Sequence, residues 1–336
     1  SETEWLELLV TEGQALPRQT WMPLLLAMEP HLSQRSGLFA FGHDFLRQAV
    51  QFEFLPSEEE KQSAHLALAD YFEAQPEMTL RKASEWPWQL HAAESWDRLQ
   101  ACLTDKDLFL ALSTDKTKWD LTGYWHPLRE QGAELGASYT RAYERWLEMD
   151  ASLENDNVLP NKLATFLHEN CEYDQAEPLY RRALEGSEAV QGPNHPDTLT
   201  SVNNLGGLLY KKGDYAQAES LYRRALEGFE AVLGANHPDT LSSVNNLAGL
   251  LEDKGDYAQA EPLYRRALKG REAVLGANHP DTLSSLNNLA VLLYAKGDYA
   301  QAEPLYRRAL KGREAVLGPN HPDTLSSVNN LAGLLE

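Results

Sequence analysis

Ten histidines make metal binding the first chemistry to consider. Four of them, His195, His237, His279 and His321, each open the string "HPDTL", 42 residues apart. A zinc ion holds its ligands about 2 Å away, whereas packed helices lie about 8–10 Å apart. One histidine per repeated element therefore cannot converge on one ion. These histidines are read as turn and helix-start residues, and no metal site is predicted. The chain has no HExxH, paired CxxC or GxSxG pattern, and no phosphate loop of the type GxxxxGK[ST]. No catalytic residue is assigned, no cofactor is expected in this chain, and the reading is of a binding protein and not an enzyme.

Binding chemistry is better represented, by asparagine. "NN" recurs as Asn203–Asn204, Asn245–Asn246, Asn287–Asn288 and Asn329–Asn330, and Asn161–Lys162 stands at the matching place upstream. Asparagine is a middling helix former, so its repeated use needs a reason. A carboxamide carries donor and acceptor together, which suits the main chain of an extended peptide. The alternative is that carboxamides tie neighbouring repeats together. For the first asparagine of each pair both readings stand; for the second, the tie is favoured.

The elements that position these groups follow from a repeat. "GDYAQAE" begins at Gly213, Gly255 and Gly297, and "EYDQAE" at Glu172 is a degenerate copy. Residues 241–282 and 283–324 differ at five of 42 positions. Leu241, Val244, Leu247, Ala248, Leu250 and Leu251 form a helical stripe running to Lys254. Pro238 and Asp239 suit its first turn, and Gly255 suits its end. Asp256 with Gln259 resembles a capping box for a second helix. That helix is expected to bury Tyr257, Ala260, Leu263, Tyr264, Ala267 and Leu268, with Glu261–Arg265 as an exposed i,i+4 pair. Pro262 lies past the first turn, where it removes a helix hydrogen bond; Ser220 takes its place in one repeat. A single hairpin cannot bury its own apolar faces, whereas stacked hairpins can.

Differences between copies fall in columns. On the first helix they are Thr165, Gly207, Gly249, Val291, Gly333; then His168, Tyr210, Glu252, Tyr294, Glu336; then Glu169, Lys211, Asp253, Ala295. Spacings of i, i+4 and i+7/8 put them and the first asparagine on one helical face. On the second helix the columns are Glu185, Glu227, Lys269, Lys311 and Ser187, Phe229, Arg271, Arg313. The exposed pair Arg265–Arg266 never changes between repeats. Constant letters are read as scaffold and variable ones as a groove-facing stripe that sets specificity; neutral drift after recent duplication is the other explanation.

The pattern Leu247-Ala248, Leu251, Ala260, Tyr264, Ala267 resembles the tetratricopeptide repeat, and "NNLA", "AEPLYRRAL" and "LGxxHPDT" resemble its 42-residue kinesin-light-chain form. This implies an all-α fold: a right-handed α-solenoid over 151–336, with four full repeats and the first helix of a fifth. It also implies a protein or peptide ligand in the groove, held by Asn161, Asn203, Asn245, Asn287 and Asn329 and selected by the variable columns.

All eight tryptophans lie before residue 150. Residues 17–75 read as two short helices, a hairpin around "SGLFAFGHDFL" and a helix "SEEEKQSAHLALADYFEAQ". They resemble the winged-helix segment of STAND-class NTPases, bacterial relatives of NLR immune receptors. The resemblance implies a winged-helix domain over 1–75 and a helical connector over 76–150 that buries its tryptophans. It implies an upstream NTPase domain using ATP and ADP, relief of autoinhibition on ligand binding, and an antiviral or other defence role. His43, beside Asp44, matches the nucleotide-sensing histidine; a helix-start histidine is the plainer reading. The start at Ser1 and the stop inside the fifth repeat predict a piece of a longer protein.

The net charge is −20, acidic in both halves, and residues 1–75 hold 12 acids against 4 bases. Such a surface repels phosphate backbones, so no nucleic-acid partner is expected. Two cysteines form no disulfide framework and no apolar run reaches membrane-spanning length. A cytoplasmic protein without a membrane partner is predicted.

Overall fold

A computed structural model describes residues 32–35, 38–41, 57–114 and 116–335. The chain divides into two compact units, residues 1–138 and 139–336. His43 and the two short helices expected before the hairpin lie outside the described residues.

In the front unit, β1 (Leu32–Arg35) pairs antiparallel with β2 (Leu38–Phe41), with Leu32 opposite Phe41 and Arg35 opposite Leu38. Helix α1 (Glu58–Glu73) starts on a true capping box: the Ser57 hydroxyl accepts from the Glu60 N–H, and the Glu60 carboxylate accepts from the Ser57 N–H. It packs on α2 (Leu80–Ala92), which is followed by α3 (Trp96–Leu103), α4 (Lys106–Leu112) and α5 (Lys118–Glu130). Trp86 and Trp125 enter the core with Leu90, Leu99 and Phe109. Trp88 and Trp119 do not; they are 47% and 70% exposed.

The second unit takes most of α6 (Leu135–Met149), then α7 (Val158–Glu169) and α8 (Tyr173–Gln191) as the first repeat. The second repeat is α9 (Pro196–Lys212) and α10 (Tyr215–Leu233), the third α11 (Pro238–Asp253) and α12 (Tyr257–Leu275), the fourth α13 (Pro280–Ala295) and α14 (Tyr299–Leu317). Helix α15 (Pro322–Leu335) is the first helix of a fifth. Tyr139 of α6 meets Phe166 of α7 edge to face at 5.3 Å, so α6 covers the face of the first repeat that no earlier repeat covers.

Each "HPDTL" histidine is an N-cap whose Nδ1 accepts from the aspartate N–H two residues on, as at His237 and Asp239. Proline follows at the first helical position, where its missing N–H costs nothing. The first helix therefore begins at Pro238 and not at Leu241. It ends where Gly255 turns left-handed at φ +78° and the Asp256 N–H reaches the Leu251 carbonyl. Cys171 holds that conformation in the first repeat, at φ +64°. Asp256 caps α12, but Gln259 closes the pair on the Asp256 carboxylate at 2.6 Å and not on its backbone. The whole stripe from Leu241 to Leu251 is at most 2% exposed. On α12, Ala260, Tyr264, Ala267 and Leu268 are buried, while Tyr257 and Leu263 are only half-buried. α12 runs through the exposed Pro262. Its Gly270 admits Leu241: a Cβ there would lie 2.5 Å from a leucine methyl.

Exposed constant residues turn out to join repeats. Glu219 receives Arg223 of its own helix at 2.8 Å and Lys254 of the next repeat at 2.5 Å. Glu177 does the same with Arg181 and Lys212, and Glu261 with Arg265 and Lys296. Arg265 continues to Gln301 of the following repeat, and Arg266 reaches back to Glu230 at 2.6 Å. The arginine pair is invariant because both members are ties.

Candidate functional site

First helices of successive repeats touch one another, whereas second helices of successive repeats approach less closely. The stack is thus tighter along its first helices, which form its inner side. There the register between neighbours is one period plus one residue. Asn246 donates to Asn203 at 3.3 Å, Asn288 to Asn245 at 3.2 Å, and Asn330 to Asn287 at 3.0 Å. The second asparagine is therefore an inter-repeat tie. The first supplies the accepting oxygen, which leaves its NH2 group on the same half-buried face. At the first step the ladder is broken: the Asn161 Oδ1 is buried with no partner among the described residues.

Across the same junctions the variable columns come together. Tyr210 Oη donates to the Asp253 carboxylate 43 residues on. Tyr294 Oη donates to the Gly333 carbonyl at 3.3 Å. His168 lies near Gly207, and burial together with the charge of Lys211 lowers its pKa. Residues from neighbouring repeats thus meet in a strip along this face at the first, second and fourth junctions.

Beneath the strip stands a column the sequence reading placed in the core alone: Tyr180, Tyr222, Tyr264 and Tyr306, each at most 3% exposed. Their hydroxyls rise under the small variable residues. Tyr180 Oη donates to Thr165 at 3.1 Å, and Tyr264 Oη to Glu252 at 2.7 Å. A Cβ on Gly207 would lie 3.5 Å from the Tyr222 hydroxyl, and one on Gly249 3.3 Å from that of Tyr264. Burial pushes Tyr222 up to about 12 and raises Glu252 above the ordinary carboxylate value. The available signal was a constant tyrosine where leucine would fill space, since a buried phenol usually has a task for its hydroxyl.

One expected part of the stripe lies elsewhere. Ser187, Phe229, Arg271 and Arg313 are buried between helices, at most 7% exposed. Arg271 donates to the Asp281 carbonyl, to Ser285 at 2.8 Å and to Ser242 at 3.0 Å, joining first helices of two repeats. Arg313 repeats this with Asp323, Ser327 and Ser284. That column faces the next repeat because the second helix presents it to the junction, so its variation alters packing and not the strip. Glu185, Glu227, Lys269 and Lys311 are exposed. Among the described residues no group of histidine, cysteine and carboxylates is arranged to hold a metal.

The family model for the tetratricopeptide repeat matches residues 157–231, 201–273, 239–315 and 281–336, together more than half of the chain. The chain belongs to the tetratricopeptide repeat family. Its repeats are similar to those of a TPR repeat-containing protein of Dictyostelium discoideum, 29% identical over 178 residues, covering 49% of this chain and 11% of that protein. They are also similar to nephrocystin-3 of Mus musculus, 30% identical over 222 residues, 62% of this chain and 16% of that protein. The chain thus spans a small part of either relative's length. Among solved structures it is similar to a Podosopora anserina protein described as a kinesin light chain with nearly identical TPR-like repeats. There the TM-score is 0.48, with 22% identity over 54% of this chain and 86% of that one. BtubC (BKLC) from P. vanneervenii gives a TM-score of 0.47 and 19% identity over 80% of this chain and 93% of that one. Among the described residues no helix of this tetratricopeptide protein is long and apolar enough to cross a membrane.

Proposed function

We propose that the tetratricopeptide segment is a non-catalytic recognition module that holds an extended segment of a partner protein along its first helices. The observation that carries this reading is the joined strip. Variable residues of successive repeats meet, as Tyr210 meets Asp253, while constant exposed residues are consumed in ties between repeats. Asn203, Asn245 and Asn287 border that strip with NH2 groups that no bond among the described residues engages. In this reading the chain acts as a scaffold or adaptor.

Two double variants test it. Asn245→Ala with Asn287→Ala, and Asn288→Ala with Asn330→Ala, remove the same two inter-repeat hydrogen bonds. Only the first pair also removes the NH2 groups offered to a ligand. Against decapeptides selected from a random display library on the parent chain, the first pair should lose binding and the second should keep it. Equal losses would leave the asparagines with a purely structural role.

A second reading makes this strip the sensor of a STAND-type NTPase. It is supported by the antiparallel pairing of residues 32–35 with 38–41, where the winged-helix resemblance expects a hairpin. Ligand binding would then favour an active state of an upstream NTPase domain. ATP or ADP would belong to that domain, with His43 as the sensing residue and defence as the output. The reading frame ahead of Ser1 is the test: a GxxxxGK[ST] motif there supports the sensor, and a frame without one leaves the adaptor.

A further inference from the structure

The chemistry of the strip is uneven along its length, and its middle points to a particular kind of ligand. Glu252 and Asp253 are adjacent in the third repeat. Their carboxylates accept from Tyr264 and Tyr210, and neither forms an ion pair among the described residues. By the register of one period plus one, the residue opposite Glu252 is Ala295, whose methyl cannot bridge to it. Lys211 lies over the Tyr210 ring, 5.2 Å from its centroid, without pairing to either acid. Two negative charges among phenol rings are thus left without a cation, and tyrosine faces themselves attract one.

A second observation comes from below. Tyr222 and Tyr306 are 3% and 2% exposed as residues; no protein group among the described residues bonds their hydroxyls, whose oxygens still reach the surface. Their counterparts Tyr180 and Tyr264 are partnered by groups of the strip itself. The Tyr222 hydroxyl sits under Gly207, the residue that leaves the face open above it. The Tyr222 oxygen is not one of the buried atoms left without a partner, so it opens onto the face, where an arriving acceptor can take its hydrogen bond. A main-chain carbonyl laid across Gly207 would do so.

We propose that the strip of the second and third repeats takes an extended peptide carrying a lysine or arginine, its cation at Glu252 and Asp253 and a main-chain carbonyl over the Tyr222 hydroxyl. This rests on the peptide-recognition reading above and adds the charge of the partner and the residues that read it. Glutamine and asparagine keep the acceptors for Tyr264 and Tyr210, so Glu252→Gln with Asp253→Asn removes charge at little cost to the fold.

The test is a random decapeptide display selection on the whole chain, followed by affinity measurements with one selected peptide. Lysine or arginine should be enriched at one fixed position. The Gln/Asn double variant should bind that peptide about tenfold more weakly or worse, with its urea midpoint unchanged. Tyr222→Phe should weaken binding by about threefold to tenfold. Selected peptides without a recurring basic residue, or unchanged affinity in the double variant, would overturn the proposal and leave peptide recognition standing. A selection that enriches no peptide would overturn peptide recognition itself.

Discussion

Arg265 and Asp253 belong to the same repeat and are both exposed, yet one is the same letter in every repeat and the other never is. Arg265 bonds Glu261 of its own helix and Gln301 of the next repeat. Asp253 bonds Tyr210, itself a variable residue. The outer edge of the stack is therefore a chain of obligations between repeats, whereas Asp253 is tied to a position that itself changes. Exposure does not decide whether a position is free to change. Between these two residues, the difference lies in whether the partner is fixed.

The sharpest way to break this contrast uses three glycines, two of the third repeat and one of the first. Gly270→Ala, at a constant position, pushes a methyl to 2.5 Å from Leu241. It should cost about 2 kcal/mol by urea unfolding. Gly186→Ala, where the equivalent Cβ meets only Asn157 at 3.4 Å, should cost far less. Gly249→Val, at a variable position that holds valine in the fourth repeat, should stay within about 0.5 kcal/mol of the parent. A large loss from Gly249→Val would erase the distinction between scaffold and strip.

A smaller effect concerns the outer clasps. Hydrogen bonds first from Lys212, Lys254 and Lys296, respectively, and from their own arginines hold Glu177, Glu219 and Glu261 below the usual carboxylate value of 4.5. A depressed folded pKa means stability that is present above that ordinary value and lost as pH falls through the folded one. Glu219→Gln should cost about 0.5–1 kcal/mol at pH 7 and low salt. It should also flatten the fall of the urea midpoint below about pH 4. The smallest expected effect is a gain: Cys171→Gly relieves a non-glycine residue at φ +64° and should stabilise by up to about 1 kcal/mol. A loss instead would mean that the contact of Cys171 with Tyr173 matters more than its backbone.

The repeat, its helices and its caps were legible because they depend on neighbours in sequence. His237, Pro238, Gly255 and Asp256 act within a few residues of themselves. The ties were not legible, because each joins residues one repeat apart, and the offset of one extra residue comes from how helices pack. Nothing in "NNLA" says that Asn288 will face Asn245 and not Asn246. Arg271 shows the same limit from the other side: a charged, varying residue reads as surface until three oxygens of neighbouring first helices surround it. The tyrosine column was half legible. Its burial follows from the stripe, but the direction of its hydroxyls depends on the small residues above.

The central claim is that constant letters build the stack and variable ones choose its ligand. It is tested most directly by giving the third repeat the letters of the fourth: Gly249→Val, Glu252→Tyr and Asp253→Ala in one chain. Its urea midpoint and the peptides it selects from a random display library would be compared with those of the parent. The prediction is an unfolding free energy within about 0.5 kcal/mol of the parent and a different set of selected peptides, no longer basic. An unfolded protein, or a stable one that selects the same peptides, would contradict it.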